Sequence, residues 1–393
     1  MKEVWITGIG LVSCFGEGAQ NHWQVLGANP APAPVVDQET FKPYCVHPLP
    51  QMDWSRQIPK RGDQRQMENW QRLGTYAAGM ALDDAGIKGN EDLVSTMDLV
   101  VAAGGGERDI SVDENILAEA VSRNDRDNLL LEKLPSDLRP TLFLAQLSNL
   151  MAGNISIVHR VTGSSRTYMG EESAGITAVE NALARIRGGQ STHLLVGGAF
   201  NAERIDLLLA LELGHYIHRG PHAGVFARQA KGGGTVTGSV GAFLVLEEAG
   251  HAKARGARPY AKLTRVVSDL GVRDEAATTR RIDGLVERLA APSSVAVISG
   301  ATGCAPVTSL EFARLREKLG ADTPIRALTT MIGNPLEANF PAGIALAALA
   351  LFNGGYYSPF EETETPAATP PSAIVVSMVG HYRGEGLGLV ERI

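Results

Sequence analysis

The sequence predicts an α/β fold. Short apolar runs of strand length recur beside glycine-rich turns, and between them lie segments whose apolar residues repeat at steps of three and four. The chain is also long enough for two domains or one duplicated one, with 393 residues of which 44% are hydrophobic and 20% charged.

Val4 to Ser13 reads as a buried strand running into a glycine turn. Its Gly8-Ile9-Gly10 lacks the third glycine and the downstream acid of a dinucleotide site, so that reading is set aside. Proline alternation from Asn29 to Val36 predicts an extended surface loop. Leu73 to Ile87 is predicted as a helix, with Leu73, Ala77, Met80, Ala81 and Ala85 on one face and Gly86 at its end. Leu99 to Ala103 follows as a strand that breaks at Gly104-Gly105-Gly106; no Lys-Ser/Thr follows the glycines, which favours a tight turn over a phosphate cradle.

Residues 107 to 140 are charged and are expected to be irregular, at an edge or a partner surface. Leu142 to Ile157 is apolar. Ser164 to Gly175 then reads as a sharp turn into a buried helix, since Ile176, Val179, Leu183 and Ile186 form a helical stripe and Gly188-Gly189 supplies the stop. A strand is expected at Leu194 to Val196, an apolar helix at Leu207 to Leu213 and a buried strand at Val240 to Glu248. Strands near Val295 to Ile298 and Ala373 to Val376, with an alanine-rich helix from Ala342 to Phe352, complete a second half.

Composition excludes several classes. The net charge is −7 and no Lys/Arg-rich block occurs, so the footprint of a nucleic-acid binder is missing. Cys14, Cys45 and Cys304 have neither CxxC spacing nor the number needed for a disulfide scaffold. His215, His218 and His222 have ligand-like spacing, but Gly220-Pro221 interrupts them and no carboxylate pattern supports a metal. The longest apolar helical stretch, Phe340 to Phe352, would reach only about 20 Å, too short for a membrane span. A cytoplasmic setting is expected.

A side chain at the start of the helix after Gly170 sits beside unpaired amides at the positive end of the macrodipole, where enzymes place nucleophiles. Glu172 occupies the position before the Ser173-Ala174-Gly175 turn. It either complements the dipole, worth up to ~1 kcal/mol at an exposed site, or carries chemistry.

The stretch resembles the nucleophile turn of the β-ketoacyl-acyl-carrier-protein synthases, Thr-Ala-Cys-x-Ser-Gly. Gly175 and Gly197-Gly198-Ala199 match their counterparts in that turn and in the strand end that follows. Val4 to Ser13 is similar to the family's N-terminal strand, Val240 to Glu248 to its Gly-Ala-Gly-x-Leu-Val-Leu-Glu strand, and His251 to Ala257 to the helix end after it. The resemblance implies a thiolase-like fold, two duplicated five-stranded α/β halves in an αβαβα layering, here divided into residues 1–252 and 253–393.

It also implies a site built from cysteine, histidine, histidine and lysine. Matched position by position, the cysteine becomes Glu172, the first histidine Gly300, the lysine Thr329 and the second histidine Asn334. Thr302 stands where the family contacts the pantetheine arm, the following threonine of that turn is Cys304, and the C-terminal gating loop corresponds to Met378 to Glu385, including His381. None of the three cysteines precedes a recognisable helix start with a histidine nearby, so none is expected to replace the nucleophile. No cofactor or metal is implied.

A non-condensing subunit resembling the chain-length factors is therefore expected, dimeric with an active ketosynthase paralogue or with itself and working with acyl carrier protein. Leu142 to Met151 would line the partner's acyl pocket. The alternatives are a malonyl-carrier-protein decarboxylase or another altered acyl-carrier-protein enzyme, including a hydrolase using Glu172 as general base.

Overall fold

The computed structural model describes residues 2–138 and 146–393. Ten strands form one long sheet: β1 (Val4–Ser13), β2 (Asp98–Ala103), β3 (Ser165–Met169), β4 (His193–Phe200), β5 (Val240–Glu248), β6 (Ala261–Asp269), β7 (Ala296–Ser299), β8 (Ile325–Ala327), β9 (Ala373–Val379) and β10 (Glu385–Glu391). They run in the order β8-β7-β9-β10-β6-β1-β5-β4-β2-β3, and a two-residue strand at Gly16–Glu17 also pairs with β1.

The order repeats itself. In the first half β2 pairs in parallel with β3 and β4, while β5 is antiparallel to both β4 and β1. In the second half β7 pairs in parallel with β8 and β9, while β10 is antiparallel to both β9 and β6. Within the long sheet the halves meet where β1 pairs with β6, with Trp5 opposite Lys262 and Ile6 opposite Ala261.

Helices cover both faces. Helix α1 (Asn69–Asp84) lies on β1, β5 and β4. Cβ atoms on Gly8 and Gly10 would overlap the carbonyl oxygens of Ala81 and Ala77, so the glycine pair of β1 serves close helix approach. Helices α2 (Ile110–Ser122), α3 (Arg126–Asp137) and α4 (Leu150–His159) follow β2. Helix α5 (Glu172–Arg187) connects β3 to β4, and α6 (Ile205–Leu213) follows β4. In the second half α7 (Glu275–Leu289), α8 (Val307–Leu319) and α9 (Asn339–Phe352) take up the successive crossovers.

Three apolar clusters mark the layers. One lies between α1, α4 and the first half of the sheet, another between α7, α8 and the second half. The central and largest draws Ile176, Val179 and Leu183 of α5 together with Phe340, Ile344 and Leu349 of α9 against strands of both halves. The result is the layered αβαβα arrangement of the thiolase-like fold. No helix among the described residues is long and apolar enough to cross a membrane.

Two expectations change. The charged segment after Gly106 is not irregular: Asp109 accepts from the amide of Val112 as an N-cap, and Val112, Ile116 and Leu129 fold α2 and α3 onto each other. Arg123 joins them by pairing with Glu119, Asp125 and Glu132, so the charges that concealed the helical period hold the hairpin together. Met151 is wholly buried in the core between α1 and the sheet, while Leu147 is 37% exposed. The expected pocket lining thus divides into a core residue and a surface residue, and Leu142 and Leu144 lie outside the described residues.

Candidate functional site

The starts of α5 and α9 meet in a buried polar cluster. Gly170, at φ 147°, makes the turn that delivers Glu172 to the first turn of α5. Its carboxylate is fully buried. Oε1 accepts from His381 Nδ1 at 2.7 Å and from Asn334 Nδ2 at 3.3 Å. Asn334 Oδ1 in turn accepts from Asn339 Nδ2 at 2.9 Å and from the Leu336 amide at 3.2 Å, and Asn339 Nδ2 also reaches the Gly300 carbonyl at 3.0 Å. Glu172, Gly300, Asn334 and His381 therefore converge from positions spread over 209 residues of chain.

The electrostatics of the pair are self-consistent. Burial alone would push the Glu172 carboxyl up, but the His381 charge and hydrogen bond outweigh it, helped by Asn334, and hold it below its ordinary value. Burial alone would likewise lower His381, and the Glu172 carboxylate reverses that and raises it. A carboxylate held below its ordinary range by a hydrogen-bonded histidine is neither a nucleophile nor a base poised near neutrality.

Gly300 has no space for a side chain. A Cβ there would overlap Asn339 Oδ1 and Met378 Sδ. Thr329 is buried and donates to the Ala301 carbonyl. Thr302 is buried and accepts from the Cys304 amide at 3.2 Å, while Cys304 Sγ donates to the Tyr216 carbonyl at 3.3 Å. His381 also packs on the Tyr216 ring, with centroids 4.5 Å apart. These contacts put the residues matched to the carrier-arm path under the segment from Tyr216 to Thr235, which bridges Gly233 to Cys304.

Burial pushes the thiols of Cys14 and Cys304 up to about 12 and raises that of Cys45 as well, so none is a thiolate at neutral pH. His218 turns to the Pro221 carbonyl and His222 to the ring of His47. Among the described residues no three His, Cys, Asp or Glu side chains are grouped to hold a metal ion.

Sequence reasoning missed Tyr216, Thr235, whose Oγ1 accepts from Asn334 Nδ2 at 3.4 Å, the buried Glu337, and Asn339. The last two carried a usable signal, because they are polar residues within an otherwise apolar run from Pro335 to Phe352 whose members are nearly all buried.

The profile described as beta-ketoacyl synthase, N-terminal domain, matches residues 1–252. The 3-oxoacyl-acyl-carrier-protein synthase 2 of Rhizobium meliloti strain 1021 is 30% identical over 284 residues, covering 67% of this chain and 63% of that protein. The chain thus matches less than two thirds of that relative's length. Among solved structures, the ishigamide ketosynthase/chain length factor superposes with a TM-score of 0.81 at 19% identity, over 100% of this chain and 99% of that one. A type II PKS acyl-carrier protein in complex with its ketosynthase bound to the hexaketide gives 0.72 at 16% identity, over 100% of each chain. With the fold, the site's position and a profile match over most of its length, this chain belongs to the β-ketoacyl synthase family.

Proposed function

We propose that the chain is a non-condensing subunit that pairs with an active ketosynthase and shapes the space available to its acyl chain, in fatty-acid or polyketide-type synthesis. One observation carries this: the position matched to the nucleophile holds a buried carboxylate fixed by His381 and Asn334, within a scaffold that is otherwise intact. Thr329 and Asn334 stand at the other matched positions, and Gly300 excludes any side chain.

An uncovered surface supports the pairing. Strand β3 is the free end of the first half of the sheet, and its Met169 is 71% exposed. Ile157, Leu209 and Leu213 are exposed on helices α4 and α6, which border the same half. An open edge strand with apolar neighbours needs a cover, supplied in this reading by an active paralogue or a second copy. The carrier protein would serve the paralogue's cysteine. The halves 1–252 and 253–393 act as one unit, and neither nucleic acid nor a membrane is engaged.

The decarboxylase alternative fits less well, because an ionised Glu172 would oppose an enolate, where catalysis needs hydrogen-bond donors. As a test, the protein is incubated with acyl and malonyl carrier-protein thioesters and examined by mass spectrometry. No acyl adduct and no condensation product are expected; a stoichiometric adduct on this chain would overturn the proposal. Co-expression with an active ketosynthase paralogue from the same organism should give a heterodimer by size exclusion, and a stable monomer in the companion's presence would count against it.

A further inference from the structure

The loop from His218 to Gly224 is held at its ends more firmly than along its length. At its start the His218 amide donates to the Thr235 carbonyl at 2.8 Å. At its end the helix Val225–Gln229 is fixed by Val225 and Phe226 in the core of the second half. Between them the Gly220 amide donates to the Pro43 carbonyl and the His222 amide to Gln38 Oε1, each at 2.9 Å, and the exposed Arg219 pairs with Glu212. Arg228 stands between this loop and the Thr302–Cys304 turn. Its Nη1 donates to the Ala223 carbonyl at 2.5 Å, its Nε to the Gly234 carbonyl at 2.9 Å, and a Cβ on Gly303 would overlap Nη2.

Two histidine rings close the loop down. His222 meets His47 edge to face, with centroids 5.2 Å apart and planes at 85°. His47 and Arg228 are wholly buried, and Nε2 of both rings is buried without a partner among the described residues. The groups facing the pair come from several elements. Arg228 and, on the loop itself, His218 oppose a positive charge on His222, and the Cys14 thiol lies 3.8 Å from His47 Nδ1. The Thr330 and Val35 carbonyls accept from the His222 and His47 rings. Glu361 is committed to the amides of Phe226 and Ala227 and to the Thr330 hydroxyl, and the thiol of Cys45 is neutral. None of these offers an imidazolium a carboxylate of its own.

We propose that the loop from His218 to Gly224 is an acid-released cover over Arg228 and the Thr302–Cys304 turn, kept shut by the packing of an uncharged His222 on His47. Burial first, and then Arg228 and His218, hold His222 down at about 4 in the closed loop, and His47 is lowered in the same way. Lifting the loop into water returns His222 to its ordinary 6.5. The closed form therefore has its full advantage above about pH 6.5 and loses it as the pH falls from there towards 4. The device belongs to this chain alone and stands whether or not a ketosynthase pairs with it.

The test is amide hydrogen exchange of the full chain, followed by mass spectrometry on peptides spanning residues 215–224 and corrected for intrinsic exchange. Between pH 7.5 and 5.0 the loop's opening constant should rise about thirtyfold, the value for one histidine moving from about 4 to 6.5 on opening. His222→Phe keeps a ring against His47 and cannot take up the proton, so its loop should open equally at both pH values. His222→Gln, a smaller side chain that does not titrate either, should be as flat, whatever its protection at pH 7.5. A wild-type loop whose protection is the same at both pH values would overturn the inference, as would a thirtyfold rise that persists in the two variants.

Discussion

Helices α5 and α9 occupy equivalent places in the two halves, each leading into the fourth strand of its own repeat, yet their surroundings differ. Helix α5 buries Ile176, Val179, Leu183 and Ile186 but leaves Ala184 exposed, and Arg185 reaches Asp98 at 2.6 Å. Helix α9 buries every residue from Asn339 to Leu351 and has no charged residue. One position in the architecture therefore accepts either an amphipathic helix or a uniformly apolar one, according to whether its outer side reaches solvent. What the two share is the polar first turn, Glu172 in one and Asn339 in the other, and the candidate site is where those turns face each other.

The contrast breaks most sharply on insertion of a charge. Ala347→Glu on α9 should leave an unpaired carboxylate in the central layer, cost more than ~4 kcal/mol and give insoluble or unfolded protein, while Ala184→Glu on α5 should stay within about 0.5 kcal/mol. Paired thermal melts read both. His381→Ala comes next. It strands Glu172 as a buried charge, for a loss of about 3–5 kcal/mol by denaturant titration, and Glu172→Gln in the same background should recover part of it. Gly300→Ala, which forces a methyl into the Asn339 amide where the α9 start meets β7, should cost about 1–3 kcal/mol.

The smallest effect is the pH dependence of the pair. Glu172, held below 4.5, contributes stability above about pH 4.5 that is lost as the pH falls through its lowered pKa; His381, held above 6.5, contributes below about 6.5 and loses it as the pH rises through its raised one. The stability gap between wild type and the Glu172→Gln/His381→Asn double variant should be widest between those values and narrow on both sides. A flat gap would mean that the pair is not charged. Glu172→Cys, finally, should accept an acyl group at most and still not condense, since Gly300 and Asn334 supply no base.

Much of this was legible in the residues. The stripe Ile176, Val179, Leu183, Ile186 and the all-apolar run of β5 announce their elements because burial on one side or both leaves a periodic or continuous apolar pattern. Glu172 stood out because the helix start was visible. The pairing of Glu172 with His381 was not, because the two lie 209 residues apart and only the completed sheet brings the β9–β10 loop over α5. The helices α2 and α3 were obscured by charges whose partners lie on neighbouring turns. A Cβ on Gly104 would overlap Glu337 Oε1, a fit between a glycine and an acid on different elements that the sequence does not bring together, and the duplication is written in strand order while the side chains of the two halves have diverged.

The short seam between β1 and β6 has a consequence for handling the molecule in pieces. Only two residue pairs stitch the sheet there, whereas the central apolar layer is built from both halves. A chain cut after residue 252 would release two fragments, each exposing one side of that layer and each adhesive on its own. Made together, they would have a large complementary surface, and backbone bridges such as Gly233 with Cys304 and Thr237 with Asn334 to re-form. That is the behaviour wanted of a split reporter, in which the signal returns only when two tethered fragments are brought close enough to share a core.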